Sequence, residues 1–120
     1  MKTKFLLLVL MVVSWSARAQ DFSGVWVVTG DVDDNSVSPT CTLTQKNQSI
    51  TGNCKIDGEH TVEAKGSVND KEVTWSYSIN YEGATYKLTF SGLIGTDKLM
   101  QGTILIDPSG ASGEFTAKRQ

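Results

Sequence analysis

The sequence is poor in the residues on which metal centres and most enzyme active sites depend. Its 120 residues include two cysteines and one histidine, and His60 alone does not make a metal site. The chain also has no serine in a strand-to-helix nucleophile motif and no glycine-rich phosphate loop ahead of a helix. We therefore expect a protein that is not an enzyme and that carries neither a metal ion nor a cofactor.

The chain has one long apolar run, which lies at the amino terminus. Lys2 and Lys4 precede nine apolar residues at positions 5–13, and Ala17 and Ala19 follow at the spacing that signal peptidase accepts. The apolar run is too short to span a bilayer. We expect residues 1–19 to be a signal peptide and residues 20–120 to be a single domain. That domain would be secreted or periplasmic, with no membrane anchor after cleavage.

Loss of such a peptide would make the remaining domain acidic. Lys2, Lys4 and Arg18 would leave with it, so eight basic residues would face thirteen acidic ones, a formal net charge of −5. A mildly acidic domain without a basic run is a poor partner for nucleic acid or for anionic lipid. Neither is expected to bind this protein.

Helical apolar periodicity is absent after residue 20, and alternation of apolar and polar residues takes its place. The clearest strand covers residues 73–81, and a Glu82-Gly83 turn joins it to a partner at residues 84–90. A two-residue loop pairs Ile79 with Tyr86 and leaves one apolar face along the hairpin. This alternation predicts an all-β protein.

Turn signals recur every eight to twelve residues and divide the domain into eight antiparallel strands. A loop at residues 69–70 would place Gly66 opposite Val73, and a type I turn at residues 107–110 would place Ile104 opposite Phe115. The predicted strands cover residues 22–29, 40–45, 50–56, 62–66, 73–81, 84–90, 99–106 and 113–119. Closing the first strand on the last removes both sheet edges, so we expect an up-and-down meander closed into a small barrel. A β-sandwich is the alternative.

The two cysteines are predicted to form a disulfide across one hairpin. A two-residue loop at Asn47-Gln48 pairs Lys46 with Ser49 and therefore Cys41 with Cys54. The cysteines then form a non-hydrogen-bonded pair, in which the Cα atoms lie closest together. That separation is at the short end of the range that a disulfide can bridge. The bridge would lie on the inward face.

The first and last strands resemble those of the calycin group of barrels, which includes lipocalins and avidins. The resemblance lies in Ser23-Gly24-Val25-Trp26, which opens the first strand, and in the basic end of the last strand, residues 113–119. In that group a basic residue of the final strand packs over the tryptophan of the first. The resemblance implies a barrel-closing contact between Trp26 and Arg119, and it implies binding of a small ligand.

The opening and the two cysteines are also similar to the secreted bacterial inhibitors of zinc proteases, which push a free amino-terminal segment into the protease cleft. Here Gln20 and Asp21 alone would precede the first strand. A protein-binding module of this kind is the alternative function. A structural envelope protein with a filled barrel is a further alternative.

In an up-and-down barrel alternate loops share an end, and here one end collects acidic residues. Its loops, among them residues 30–39, hold seven acids and no lysine or arginine: Asp31, Asp33, Asp34, Asp57, Glu59, Glu82 and Asp107. Such a rim concentrates cations, and aromatic faces beneath it suit an amine. The residues predicted to line a ligand site there are His60, Ile79, Tyr81, Tyr86, Val28 and Ile106. We expect a small cationic or amphiphilic ligand, and a monomer or a weak homo-oligomer.

Overall fold

The computed structural model of the chain describes residues 21–95 and 97–120. The predicted signal peptide, residues 1–19, lies outside these. The described residues form nine strands: β1 Gly24–Val32, β2 Asn35–Val37, β3 Thr40–Lys46, β4 Ser49–Lys55, β5 Thr61–Asn69, β6 Glu72–Tyr81, β7 Ala84–Ile94, β8 Leu99–Asp107 and β9 Ala111–Arg119. Within this part of the chain, no helix has the length and apolar character that crossing a membrane requires.

The strands form one antiparallel sheet that closes on itself. From β3 to β9 each strand pairs with the next along the chain, and β1 pairs with both β3 and β9. The closing ladder between β1 and β9 extends from Trp26↔Arg119 to Val32↔Gly113. The predicted all-β meander, closed into an eight-stranded barrel, is therefore confirmed, with β2 as one additional strand.

The additional strand corrects the prediction that residues 30–39 form a loop. Val32 pairs with Asn35 and Gly30 with Val37, so β1 turns back on itself. Asp33 holds a φ of 57° at the turn, a left-handed conformation that aspartate tolerates better than most residues. β2 was missed because it is three residues long and carries no apolar alternation.

Two of the predicted hairpin registers are confirmed and two are wrong. Ile79 pairs with Tyr86 as predicted. In the β5–β6 hairpin, however, Gly66 lies opposite Trp75 rather than Val73. In the last hairpin Gly102, not Ile104, lies opposite Phe115. Both errors are shifts of two residues, which preserve the face of every side chain because the period of a strand is two.

The position of the turn explains the first of these shifts but not the second. Asn69 pairs with Glu72, so the β5–β6 turn is Asp70-Lys71, one residue later than predicted. The last turn is closed by a 2.8 Å hydrogen bond from the Gly110 backbone N–H to the Ile106 carbonyl. The turn covers residues 107–110 as predicted, and such a turn pairs Ile106 with Ala111, as observed. The predicted pair of Ile104 with Phe115 did not follow from that turn.

The disulfide prediction is confirmed. Cys41 lies directly opposite Cys54, their Cα atoms are 4.0 Å apart, and the two sulfurs are bonded. Both residues are fully buried. The bridge therefore locks β3 to β4 inside the barrel, as the hairpin register requires.

Side chains fill the interior of the barrel. An aromatic cluster occupies its middle: the Trp75 ring stacks on Phe90 at 5.2 Å between centroids, and Phe115 meets Phe90 edge-on at 5.4 Å. Tyr77 packs against Phe90 at 5.5 Å. Eight-stranded barrels leave an interior just wide enough for side chains or for one small ligand. Here these rings take that space.

Candidate binding site at the acidic end

The barrel has one end with acidic turns, which we call the acidic end. The turns there are residues 33–34, 56–60, 82–83 and 107–110, and they contain no lysine or arginine. Lys55 and Lys87 stand on adjoining strands and are exposed. The carboxylates of the turns are also exposed, so they form a ring of negative charge in water around the barrel mouth.

A shallow cavity of about 210 Å³ opens at the acidic end. Its floor is formed by Tyr77 and Leu88, each 4% exposed, and part of its wall by Ile79. The complete lining is Ser36, Val37, Ser38, Pro39, Ile56, Asp57, Tyr77, Ile79 and Leu88. The cavity therefore combines an apolar floor with a single carboxylate, that of Asp57.

Hydrogen bonds hold the Asp57 carboxylate in place. Its Oδ1 accepts the backbone N–H of Glu59 at 2.8 Å and that of His60 at 2.9 Å. His60 Nδ1 lies 3.0 Å from both carboxylate oxygens. These donors stabilise the ionised form, the Glu59 N–H most of all, and they lower the pKa of Asp57 below its ordinary value of 3.8. The carboxylate is thus charged across the physiological pH range.

Tyr77 is a member of the site that sequence reasoning did not assign to it. The alternation of apolar and polar residues along β6 predicts that the Tyr77 ring faces inward, and the ring does so. Burial raises the pKa of its phenol, because the ionised form is poorly solvated there. The phenol is therefore neutral at physiological pH.

The structure brings one of the six predicted site residues, Ile79, into the cavity wall. Val28 is a core residue, 1% exposed. Tyr86 and Ile106 are half-buried and pack against the core. His60 lies beside Asp57, and neither it nor the three residues just named line the cavity.

Tyr81 is 61% exposed and does not line the cavity. The reason lies in the length of the β6–β7 hairpin. Its ladder continues to Tyr81↔Ala84, whereas the β7–β8 ladder stops at Lys87↔Asp107. The tip of the hairpin therefore projects beyond its neighbours, and Tyr81 projects with it.

At the opposite end side chains cover the barrel interior, since Phe22 and Trp26 are fully buried, and we call this the closed end. A surface depression of about 590 Å³ lies over it, beside Lys98, Lys118 and Arg119. Arg119 lies over the Trp26 ring, with its Cζ 4.6 Å from the ring centroid, so the structure brings together the two residues that the calycin resemblance pairs. The Trp26 indole N–H donates to the Phe22 carbonyl at 2.9 Å. Arg119 also donates to the Asp21 carbonyl at 2.8 Å. Phe22 itself is fully buried and plugs this end.

Gly24 makes room for this closure. A Cβ atom on Gly24 would lie 3.2 Å from Arg119 Cδ, and the residue holds a φ of 137°, where other residues are strained. The glycine two positions before Trp26 therefore lets the arginine stem cross the barrel end. Across the described residues, no three histidine, cysteine or acidic side chains converge as a metal site would require.

No protein-family model matches the chain, and no curated protein matches it. Among solved structures it is similar to a redesigned β-barrel, with a TM-score of 0.58 and 13% sequence identity over 82% of this chain and 90% of that one. At this identity the likeness shows the barrel fold alone.

Proposed function

We propose that this protein is an exported, non-enzymatic barrel that binds a small organic cation with an apolar body in the cavity at the acidic end. The observation that supports this is the placement of Asp57. Its carboxylate lies at the edge of an apolar floor, and hydrogen bonds keep it ionised. A group that is apolar on one side and cationic on the other is complementary to both surfaces.

The size of the cavity limits the ligand. Drug-sized ligands occupy clefts of about 300–1,000 Å³, and this cavity measures about 210 Å³. The aromatic cluster beneath it fills the barrel interior. We therefore infer that the ligand sits at the mouth, and that it is no larger than an amine with one ring or a short alkyl chain.

The calycin-like features favour this proposal over the protease-inhibitor alternative. The Gly24, Trp26 and Arg119 arrangement matches the resemblance that implies a ligand-binding barrel. The inhibitors need a free segment ahead of the first strand. In this chain the segment next to β1 is held down, since Phe22 is buried and the Asp21 carbonyl accepts from Arg119.

The proposal is tested by titrating the protein with benzylammonium and with benzyl alcohol, its neutral counterpart, while recording amide chemical shifts. We expect the amine to bind more tightly and to shift the signals of residues around Asp57. Asp57→Asn keeps the backbone-accepting oxygen but removes the charge. It should weaken amine binding about tenfold, the difference between a charge-assisted and a neutral hydrogen bond.

Asp107→Asn is the matched control, because Asp107 is at the same end but does not line the cavity. It should leave the affinity nearly unchanged. Equal affinity for the amine and the alcohol would contradict the proposal. So would an Asp57→Asn variant that binds the amine as well as the unmodified protein does.

A further inference from the structure

The wall of the barrel is unpaired over part of its height between β5 and β6. Their ladder extends from Asn69↔Glu72 and ends at Lys65↔Ser76. Between that pair and the acidic end, residues 61–64 of β5 still pair with β4, and residues 77–80 of β6 still pair with β7. Each segment therefore has one edge that makes no ladder with the strand facing it.

A groove of about 400 Å³ lies along this unpaired stretch. It is lined by Val62, Glu63, Lys65, Ser76, Tyr77 and Ser78. Tyr77 also belongs to the floor of the cavity at the acidic end. The groove on the side of the barrel therefore adjoins that cavity.

We propose that this groove binds an extended, basic peptide segment, which adds to the free edge of β6 as a strand. The proposal goes beyond the amine site and does not depend on it. Unpaired strand edges present alternating N–H and C=O groups, which an extended backbone satisfies and a compact small molecule does not. In residues 77–80 of β6, the backbone N–H and C=O groups on the unpaired edge face the groove.

Side chains and charge specify the kind of peptide. In an added strand every second side chain points inward, here toward Val62 and Tyr77, so apolar residues fit those positions. The outward neighbours on β6 are Ser76 and Ser78, which are small and leave space for the peptide. The groove lining carries one acid, Glu63, and one base, Lys65. The turns at the ends of β5 and β6 beyond it, residues 56–60 and 82–83, are acidic, so lysine or arginine is favoured at the peptide positions nearest those turns.

The probe is a terminally blocked hexapeptide of alternating valine and lysine. We expect it to bind and to slow hydrogen exchange of the groove-facing amides in residues 61–64 and 77–80. Those amides should exchange rapidly in the free protein, in contrast to the paired stretch of β5. If they are already as protected as that stretch, the edge is closed and the proposal is wrong.

Two control peptides separate backbone pairing from charge. The same hexapeptide with every backbone amide methylated keeps its charge but donates no ladder hydrogen bonds. It should bind at least about tenfold more weakly, the loss expected from two or three missing hydrogen bonds. The valine and glutamate version should also bind more weakly. Equal binding of the methylated peptide would overturn strand addition, and equal binding of the acidic peptide would overturn the basic preference.

Ser78→Trp fills the groove from β6, and Thr103→Trp places the same ring on the outer face of β8 as the control. We expect the first variant to lose peptide binding and the second to retain it. Equal binding by both would overturn the proposal. Protection of the groove amides that rises with protein concentration, without peptide, would show that a second copy of the chain is the occupant instead.

Discussion

The two ends of this barrel are built from the same strands, but different segments of the chain cover them. At one end a segment outside the strands folds back, so that Phe22 plugs the opening and Arg119 covers the Trp26 ring. At the acidic end short polar turns connect the strands, and a cavity is left over Tyr77 and Leu88. The strands thus make the wall, while residues outside the strands determine what covers the interior at each end.

The two ends also differ in whether their residues contribute to stability or to binding. The closed end buries large apolar side chains and satisfies their polar groups internally, which is the arrangement that stabilises a small domain. The acidic end exposes its carboxylates and leaves a cavity over Tyr77 and Leu88. We therefore expect substitutions at the closed end to change stability, and those at the acidic end to change binding.

The largest effect is expected for Phe22→Ala. Removing a fully buried phenylalanine costs about 3–5 kcal/mol of unfolding free energy, because it leaves a cavity as well as losing apolar burial. Tyr81→Ala is the counterpart at the acidic end and should change stability by less than about 0.5 kcal/mol, since an exposed side chain loses little. Chemical denaturation measures both. Comparable losses in the two variants would show that the ends do not differ in this way.

The disulfide is the next largest contribution. Replacing both Cys41 and Cys54 by alanine should lower stability by roughly 3 kcal/mol at most, because the bridge closes a short loop in the unfolded chain. Since neither cysteine lines the cavity, amine binding by the folded fraction should be unchanged. A double variant as stable as the unmodified protein would contradict the prediction.

Arg119→Met should have a smaller effect. It keeps the apolar stem over Gly24 but removes the charge over the Trp26 ring, a contact worth about 0.5–1 kcal/mol when partly exposed. Lys118→Met is the control, because Lys118 is the neighbouring exposed residue on β9. A fall in melting temperature is expected for the first variant alone. Identical melting curves would show that the Trp26 contact does not stabilise the closure.

The fold was predictable because the two-residue period of a strand can be recognised within a short stretch of sequence. Alternation in residues 73–81 fixes which side chains face inward, whatever the register. Register is less certain, since it depends on the turn. Residues 69–70 and Asp70-Lys71 both offer a two-residue loop, and the apolar pattern does not distinguish them, because a shift of two keeps every face.

The candidate site was less predictable. The alternation of apolar and polar residues shows which side chains face inward, but it does not show how far along the barrel axis each of them lies. Alternation along β6 predicts that both Tyr77 and Tyr81 face inward. In the structure Tyr81 projects on the hairpin tip, whereas Tyr77 forms part of the cavity floor. Which one reaches the mouth depends on where the neighbouring ladders stop. That is a property of several strands together, and it also decides the unpaired edge between β5 and β6.

The smallest expected effect concerns the pH dependence of Asp57. The folded state lowers its pKa below 3.8, through the Glu59 N–H first and then His60. A carboxylate with a lowered pKa stabilises the folded state above the pKa of the unfolded chain, and that stabilisation is lost as pH falls through the folded value. Stability should therefore decline below about pH 4 for this reason. Asp57→Asn should lack this part of the decline.

His60→Gln sharpens the assignment, because it removes the imidazole but leaves the Glu59 N–H in place. Carbon-detected NMR titration of the Asp57 carboxyl should show a pKa that rises in this variant yet stays below its ordinary value, since the largest cause remains. A pKa at or above 3.8 in the unmodified protein would mean that the carboxylate is not held by these donors. The hydrogen bonds from Glu59 and His60 would then not be what keeps the carboxylate at the cavity ionised.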